Sequence, residues 1–400
     1  MDAHDRLARE ALALVLAGGN GTRLGALTQH QCKPALSFGG HFRNIDFTLS
    51  NCVNSGVRRI AVLTQYKAQT LIEHLAHAWS FLARPLGEAI DVWPAQQRLH
   101  PEWYAGTADA IWQNLDLVMA HGRRTTLILA GDHVYCMDYR KLLAQHRASG
   151  APLTVACVPV PTQDAGGFGV LELGAGARVR AFTEKPAPEA LAGRGPTVLA
   201  SMGVYAFETD YLAESLARDA RRAGSSRDFG RDLLPLAVAE GAADAFAFQS
   251  DAGEPGYWRD VGTLESYWRA HMDLVRADPP INLHDPDWPI HTHCEALPPA
   301  RIVGAHEDCA VADSILSGGA VVRRARITRC VLGTHVQVDE DAVLEDCVVL
   351  GGARIGAGAR LSHCVVQSAA GIAPCTEEWH RGAVRLLGSH EPQSALRSVA

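Results

Sequence analysis

No hydrophobic run in this 400-residue chain reaches the ~18 uncharged residues that a bilayer-crossing helix requires. The opening segment MDAHDRLAREAL is charged and lacks the apolar core of a secretory leader. Positive charge is not in excess: 37 Lys and Arg stand against 44 Asp and Glu, a formal net charge of −7, and a general nucleic-acid binder is not expected from that balance. The ten cysteines include no C-x-x-C pair and are scattered, many of them in apolar stretches. That spacing argues against a zinc site and for reduced core residues of a cytoplasmic protein. Apolar residues at 47% and charged residues at 20% are ordinary for a globular chain, and the length predicts two domains.

What is present is a glycine-rich turn behind an apolar strand: Leu12-Ala13-Leu14-Val15-Leu16-Ala17-Gly18-Gly19-Asn20-Gly21-Thr22-Arg23-Leu24, with Lys33-Pro34-Ala35 downstream. Glycines let backbone N–H groups close on an anion, and Arg23 and Lys33 add the charge that a triphosphate needs. The segment is not a P-loop, because no Gly-Lys-Ser/Thr ends it, and it lacks the third glycine of a dinucleotide fingerprint.

Short apolar runs at 12–17, 59–64, 126–130 and 153–158 alternate with helical patterns, as in an α/β sheet covered on both faces. Ala68 to Leu82 carries an amphipathic stripe through Leu71, Ile72, Leu75, Ala78 and Trp79, with His74 and His77 read as ordinary helix histidines. Gly18 and Asp132 both follow strands, so both are expected on the carboxyl edge of the sheet, where such folds bind ligands. Residues 276–300 are dense in Pro and His and read as an ordered linker, because Ile281, Leu283, Trp288 and Ile290 can pack. Beyond them Cys330, Cys347 and Cys364 recur at a spacing of 17, and aliphatics fall about every six positions at Ile315, Val321, Ile327, Val343, Val349, Ile355 and Leu361. Three short strands per coil predict a left-handed parallel β-helix. The predicted layout is a domain over 1–275, a linker over 276–300, a β-helix over 301–375 and a tail over 376–400.

GGNGTRL and CKPAL, followed in order by FRNIDFTLSNCVNSGVRRIAVLTQY, WYAGTADAIWQN, LILAGDHVY, FTEKPA, ASMGVYAF, DFGRDLLP and YWRDVGTLESYW, resemble the sugar-1-phosphate nucleotidyltransferases. Within that superfamily they are most similar to the bacterial glucose-1-phosphate adenylyltransferases of the glycogen pathway. The resemblance runs from about Leu12 to about Leu387. It implies a Rossmann-like nucleotidyltransferase domain with a mixed, mostly parallel sheet ahead of the β-helix. It also implies that ATP and glucose 1-phosphate are converted to ADP-glucose and pyrophosphate with Mg2+. Arg23 and Lys33 then meet the ATP phosphates, together with Ala17, Gly18, Gly19, Gly21, Thr22 and Gly106, while Gln65 and Gln96 line the base pocket. Asp132 and Asp260 share the metal. Tyr104, Gly169, Glu184, Lys185, Ser201 and Asp228 take glucose 1-phosphate.

Each position also has a plainer reading. Asp132 could be a turn acid or the cap of a helix over 138–149, and Asp260 a salt-bridge partner or a helix N-terminal acid. Asp228 could be a helix N-cap, Gln65 and Gln96 surface residues, and Glu184 with Lys185 a surface ion pair. Adjacent strand residues point to opposite faces, so Glu184 and Lys185 need not act on the same atom. At the level of the chain, the alternatives are a non-catalytic regulatory subunit and the same chemistry on another nucleoside triphosphate; too few coils are present for an acyl-transfer cleft.

The resemblance further implies small-molecule allosteric effectors and a homotetramer. Here His30, Gln31 and Ser37 stand where relatives carry cations or His, and Asn20 where many carry Arg. Arg43 remains, and Arg381, Arg385 and Arg397 could form a weak anion site. A bisphosphate activator is therefore expected to act weakly.

Overall fold

The computed structural model of the chain describes residues 3–19, 21–96, 103–250, 252–304 and 309–388, which fall into two compact units. The first comprises 3–19, 45–258 and 285–291; the second comprises 21–44, 259–284 and 292–388.

The first unit is built on a nine-stranded mixed sheet. In chain order its strands are β1 (Ala11–Ala17), β2 (Arg59–Thr64), β3 (Ala89–Pro94), β4 (Thr125–Ala130), β5 (Leu153–Pro161), β6 (Gly169–Leu173), β7 (Val179–Glu184), β8 (Thr197–Glu208) and β9 (Ala243–Ala247). They lie in the order β7-β6-β8-β4-β1-β2-β3, with β5 also on β8 and β9 on β5. Pairs β4-β1, β1-β2, β2-β3 and β5-β9 are parallel; β8 runs antiparallel to β4, β5 and β6. The near-continuous apolar runs of β1, β2 and β4 follow from burial on both faces.

Leu16 pairs with Ala130, and Gly131 N–H donates to Leu16 C=O at 3.0 Å. This register carries Gly18 and Asp132 off the same edge of the sheet. The helix expected over 68–82 is shorter, Gln69–Ala78. Trp79 caps it instead of continuing it, because its indole N–H reaches the buried Asp46 carboxylate, which also holds His74 at 2.6 Å. In the linker, Ile281 and Ile290 are buried and Trp288 Nε1–H donates to Asn51.

The second unit contains the parallel coils. Strand pairing advances by 16 residues in the earlier coils, as in Ile315↔Val331, and by 17 in the later ones, as in Val331↔Val348 and Cys347↔Cys364. The core column is Val322, Ile327, Leu332, Val338, Leu344, Val349, Ile355, Leu361 and Val366, with Cys330, Cys347 and Cys364 beside it. The predicted column is therefore out by one at three places. Ile315, Val321 and Val343 are partly exposed, while Leu316 packs against the core and Val322 and Leu344 are buried. The residues missing from an 18-residue coil are lost in the five-residue steps into Ile327, Leu332, Val349 and Val366, so a strict six-residue count drifts off the core there. Of the ten cysteines six are buried, whereas Cys294 and Cys375 are exposed, contrary to a uniform core assignment. The helix Leu264–Leu274 belongs to this unit and is tied to the coils by Trp268, whose Nε1–H donates to Asp346 C=O at 2.7 Å.

Candidate active site

In the second unit the glycine-rich turn is braced across its neck. Gly21 has φ +60, and a Cβ there would meet the Thr28 methyl at 2.8 Å and Lys33 Cβ at 3.3 Å. Thr28 Oγ–H donates to Gly21 C=O at 2.9 Å, which closes the segment Thr22–Thr28, tight turns broken by a kink at Gly25. Thr22 and Arg23 are exposed, while Lys33 is 6% exposed. Lys33 Nζ donates to Asp260 Oδ1 at 2.5 Å. A Cβ at Gly262 would lie 3.0 Å from Arg23 Nη2 and 3.0 Å from each Asp260 oxygen. Arg23, Lys33 and Asp260 thus converge over a glycine whose missing side chain leaves them room. Asp260 is a salt-bridge partner, as the plainer reading held, but its partner is the lysine assigned to the phosphates.

In the first unit, Ala17 is buried at the end of β1 and Gly18 rides over Gln65 Cβ. Gln65 Oε1 accepts the Tyr104 N–H at 3.1 Å, and the Tyr104 hydroxyl accepts from Asn114 at 2.9 Å. Gly19 and Gln96 are exposed in coil; Asn20, Gln97, Arg98 and Arg397 lie outside the described residues. Gly106 precedes the helix Thr107–Trp112 as expected. A Cβ on it would fall 2.3 Å from Arg227 C=O and 2.6 Å from Ser226 C=O.

Of the sugar-phosphate candidates, Gly169 opens β6, Glu184 closes β7 with Lys185 just beyond it, and Ser201 lies inside β8. Glu184 Oε2 lies where a Cβ on Gly169 or Gly230 would sit, at 2.9 and 2.4 Å. Lys185 leaves the strand with φ +46, so the opposite-face expectation fails and its Nζ reaches Glu184 Oε1 at 3.3 Å. Ser201 Oγ–H donates to the Tyr205 hydroxyl at 3.4 Å, and burial pushes the Tyr205 phenol above its ordinary range. Asp228 is an N-cap, accepting from Arg231 N–H and from Thr107 Oγ–H at 2.9 Å. Asp132 caps no helix; Asp138 caps Tyr139–Ser149. Its side chain is 26% exposed at the strand edge and 3.6 Å from His133 Nε2. A carboxylate so placed, partly open at the ligand-binding edge, fits an oxygen-preferring divalent cation.

Sequence reasoning missed Gly230, Gly262 and the Asp109–Arg227 pair. Arg227 Nη1–H donates to the buried Asp109 carboxylate at 2.7 Å. The glycines follow known acids by two residues, a signal too common to single out.

A mixed sheet with a glycine-rich turn behind its first strand, in one chain with parallel hexapeptide-type coils, is the pairing of the sugar-1-phosphate nucleotidyltransferase class. A family model described as Nucleotidyl transferase matches residues 12–277, and one described as GlmU-like, C-terminal hexapeptide matches 298–377. A glucose-1-phosphate adenylyltransferase of Nitrosospira multiformis is 48% identical over 383 residues, 94% of this chain and 90% of that protein. One from Hydrogenovibrio crunogenus is 46% identical, covering 90% of this chain and 86% of its own; another from Methylococcus capsulatus is 46% identical, covering 93% and 88%. The chain belongs to the glucose-1-phosphate adenylyltransferase family.

Proposed function

We infer that this chain catalyses the formation of ADP-glucose and pyrophosphate from ATP and glucose 1-phosphate, the committed step of bacterial glycogen synthesis. The convergence of Arg23, Lys33 and Asp260 around Gly262 is the observation that carries this reading to the residues. A phosphate oxygen of glucose 1-phosphate attacks the α-phosphorus of ATP. The bond to the bridging oxygen breaks, and pyrophosphate leaves with the electron pair. The protein's task is to hold two polyanions in line and to neutralise the charge gathering on the leaving group. Arg23 grips phosphate oxygens through its planar fork, and Lys33 acts as a point charge. Ala17, Gly18, Gly19, Gly21, Thr22 and Gly106 shape the nucleotide cradle, with Gln65 and Gln96 at the base. Lys185 takes the sugar phosphate. Glu184, Tyr104, Gly169, Ser201 and Asp228 define the hexose side.

Asp132 and Asp260 would hold a divalent cation, Mg2+ in this reading, which supplies charge neutralisation at the α-phosphate and the departing pyrophosphate. The Lys33 ammonium orients Asp260 until the phosphates draw that ammonium away. The full set of cations and acids argues against a regulatory subunit without turnover.

The chain also acts as a homotetramer in this reading. Ile302 and Trp379, on the coil-bearing unit, are 54% and 39% exposed, and burial between copies offsets that exposure. Sedimentation at micromolar protein is expected to give four chains, and a monomer would refute it. In this reading the chain responds weakly to a bisphosphate effector or takes a smaller, less charged one. Arg43 Nη1 already donates to Ala35 C=O, and Arg385 is paired with Glu378, so neither is a fully available counter-charge.

The test is pyrophosphate release from the isolated chain with a panel of nucleoside triphosphates and glucose 1-phosphate. ATP is expected to be preferred, and Asp132→Asn to lower turnover at least ~10²-fold with the fold intact. Normal turnover of that variant at saturating Mg2+ would remove Asp132 from the metal; preference for another nucleotide would overturn the adenylyl assignment.

A further inference from the structure

His133 follows the candidate metal carboxylate directly, and the reaction as derived leaves it without a task. It is held with unusual care for such a residue. Its Nδ1 lies 3.0 Å from Met202 C=O. A carbonyl can only accept, so Nδ1 carries the proton and, in the neutral ring, the lone pair belongs to Nε2. The carbonyl is turned toward the ring by an irregularity in β8, where the register with β5 breaks between Ser201 and Tyr205. Gly203, within that break, has φ +66, and a Cβ on it would lie 3.3 Å from His133 Cε1. The edge of the Trp258 indole closes another side, with ring centroids 5.1 Å apart at 84°. The histidine side chain is only 13% exposed.

With the ring so fixed, Nε2 stands 3.6 Å from Asp132 Oδ1. That separation is too long for a hydrogen bond. It is within the span of two ligand atoms on one ion, each bonded at about 2.0–2.2 Å. Donation of the second ring N–H to a backbone carbonyl is the support that metal-ligating histidines ordinarily have.

We propose that His133 supplies, through Nε2, a nitrogen ligand to the divalent cation held by Asp132. The proposal rests on the reading of Asp132 as a metal carboxylate. A mixed nitrogen and oxygen donor set favours Mn2+ or Co2+ over Mg2+ relative to an all-oxygen site. The β8 irregularity then has a purpose in the metal site as well as in placing Ser201.

The test uses the full chain, without substrates, and Mn2+ alone as probe. Binding is followed by electron paramagnetic resonance and nitrogen coupling by electron spin echo modulation. The wild-type chain is expected to show nitrogen modulation at bound Mn2+. His133→Gln is expected to lose it and to bind Mn2+ about tenfold or more weakly, and Asp132→Asn to lose the ion. Bound Mn2+ without nitrogen modulation in the wild type, with binding still lost in Asp132→Asn, overturns the histidine ligand and leaves the carboxylate reading standing. Unchanged Mn2+ binding in Asp132→Asn overturns both. The wild-type spectrum decides the matter even if the His133→Gln chain does not fold.

Discussion

Lys185 sits where residue-scale physics departs furthest from pattern. A left-handed backbone at a non-glycine residue costs of order 1–3 kcal/mol, and the chain sustains it at φ +46 directly after β7. The effect is to turn the ammonium back beside Glu184, so that one cation and one carboxylate share a small space. Lys185 is half exposed there, so the ion pair itself adds little to stability. In the proposed reading this ammonium is the one that meets the sugar phosphate. Lys185→Ala is therefore expected to raise KM for glucose 1-phosphate by about tenfold or more and leave KM for ATP close to unchanged. Initial-rate kinetics with each substrate varied in turn check this, and an equal rise in both would reassign the residue. Gly230 and Gly169 complete the same idea: Glu184 occupies the volume that their side chains would take.

At the scale of elements, a turn and a loop distant in sequence are locked together ahead of the helix Thr107–Trp112. Ala108 N–H donates to Arg227 C=O at 2.9 Å, Phe229 N–H to Thr107 Oγ at 3.0 Å, and Arg227 to Asp109 at 2.7 Å. Gly106 has extended backbone, so its requirement is space rather than conformation. Gly106→Ala would drive a methyl against two backbone carbonyls that cannot rotate away. It is expected to cost about 1–3 kcal/mol, seen as a lowered thermal midpoint, with reduced turnover because the same loop carries Asp228. An unchanged midpoint would show that the loop moves freely. None of this lock could be read from the sequence, since it joins positions about 120 apart through backbone carbonyls. The strands β1, β2 and β4 were legible because apolar runs report burial on two faces. The coils were legible because the cysteine spacing marks their period. The drift at Ile315, Val321 and Val343 arose because an average period cannot locate the short steps. Within the site, Arg23 and Lys33 stood out beside glycines. The strand-alternation rule failed at Lys185 because it presumes that the strand continues.

Among the described residues, each unit holds a deeply buried histidine whose neutral form the packing demands. In the second unit, His271 Nε2 accepts the Gly39 N–H at 3.2 Å and its Nδ1–H donates to Tyr267 C=O at 2.9 Å. Protonation would set one N–H against another, and burial lowers its pKa to about 4. In the first unit, His146 is 1% exposed beneath Thr154, and burial likewise lowers its pKa to about 4, against the opposing pull of Glu208. Both groups take up protons more readily in the unfolded chain, where the ordinary value is about 6.5. Their contribution is fully present above that value. It is lost as the pH falls from about 6.5 toward 4, because the unfolded state binds more protons throughout that window. The interval corresponds to about 3 kcal/mol per histidine at full expression, and to about 2 kcal/mol each by pH 5. Denaturant midpoints measured between pH 7.5 and 5 are expected to fall steadily for the unfolding of each unit. His271→Gln and His146→Gln, although less stable at pH 7.5, should each flatten the pH dependence by close to one proton. A wild-type slope retained in both variants would show that acid acts on the molecule through other groups.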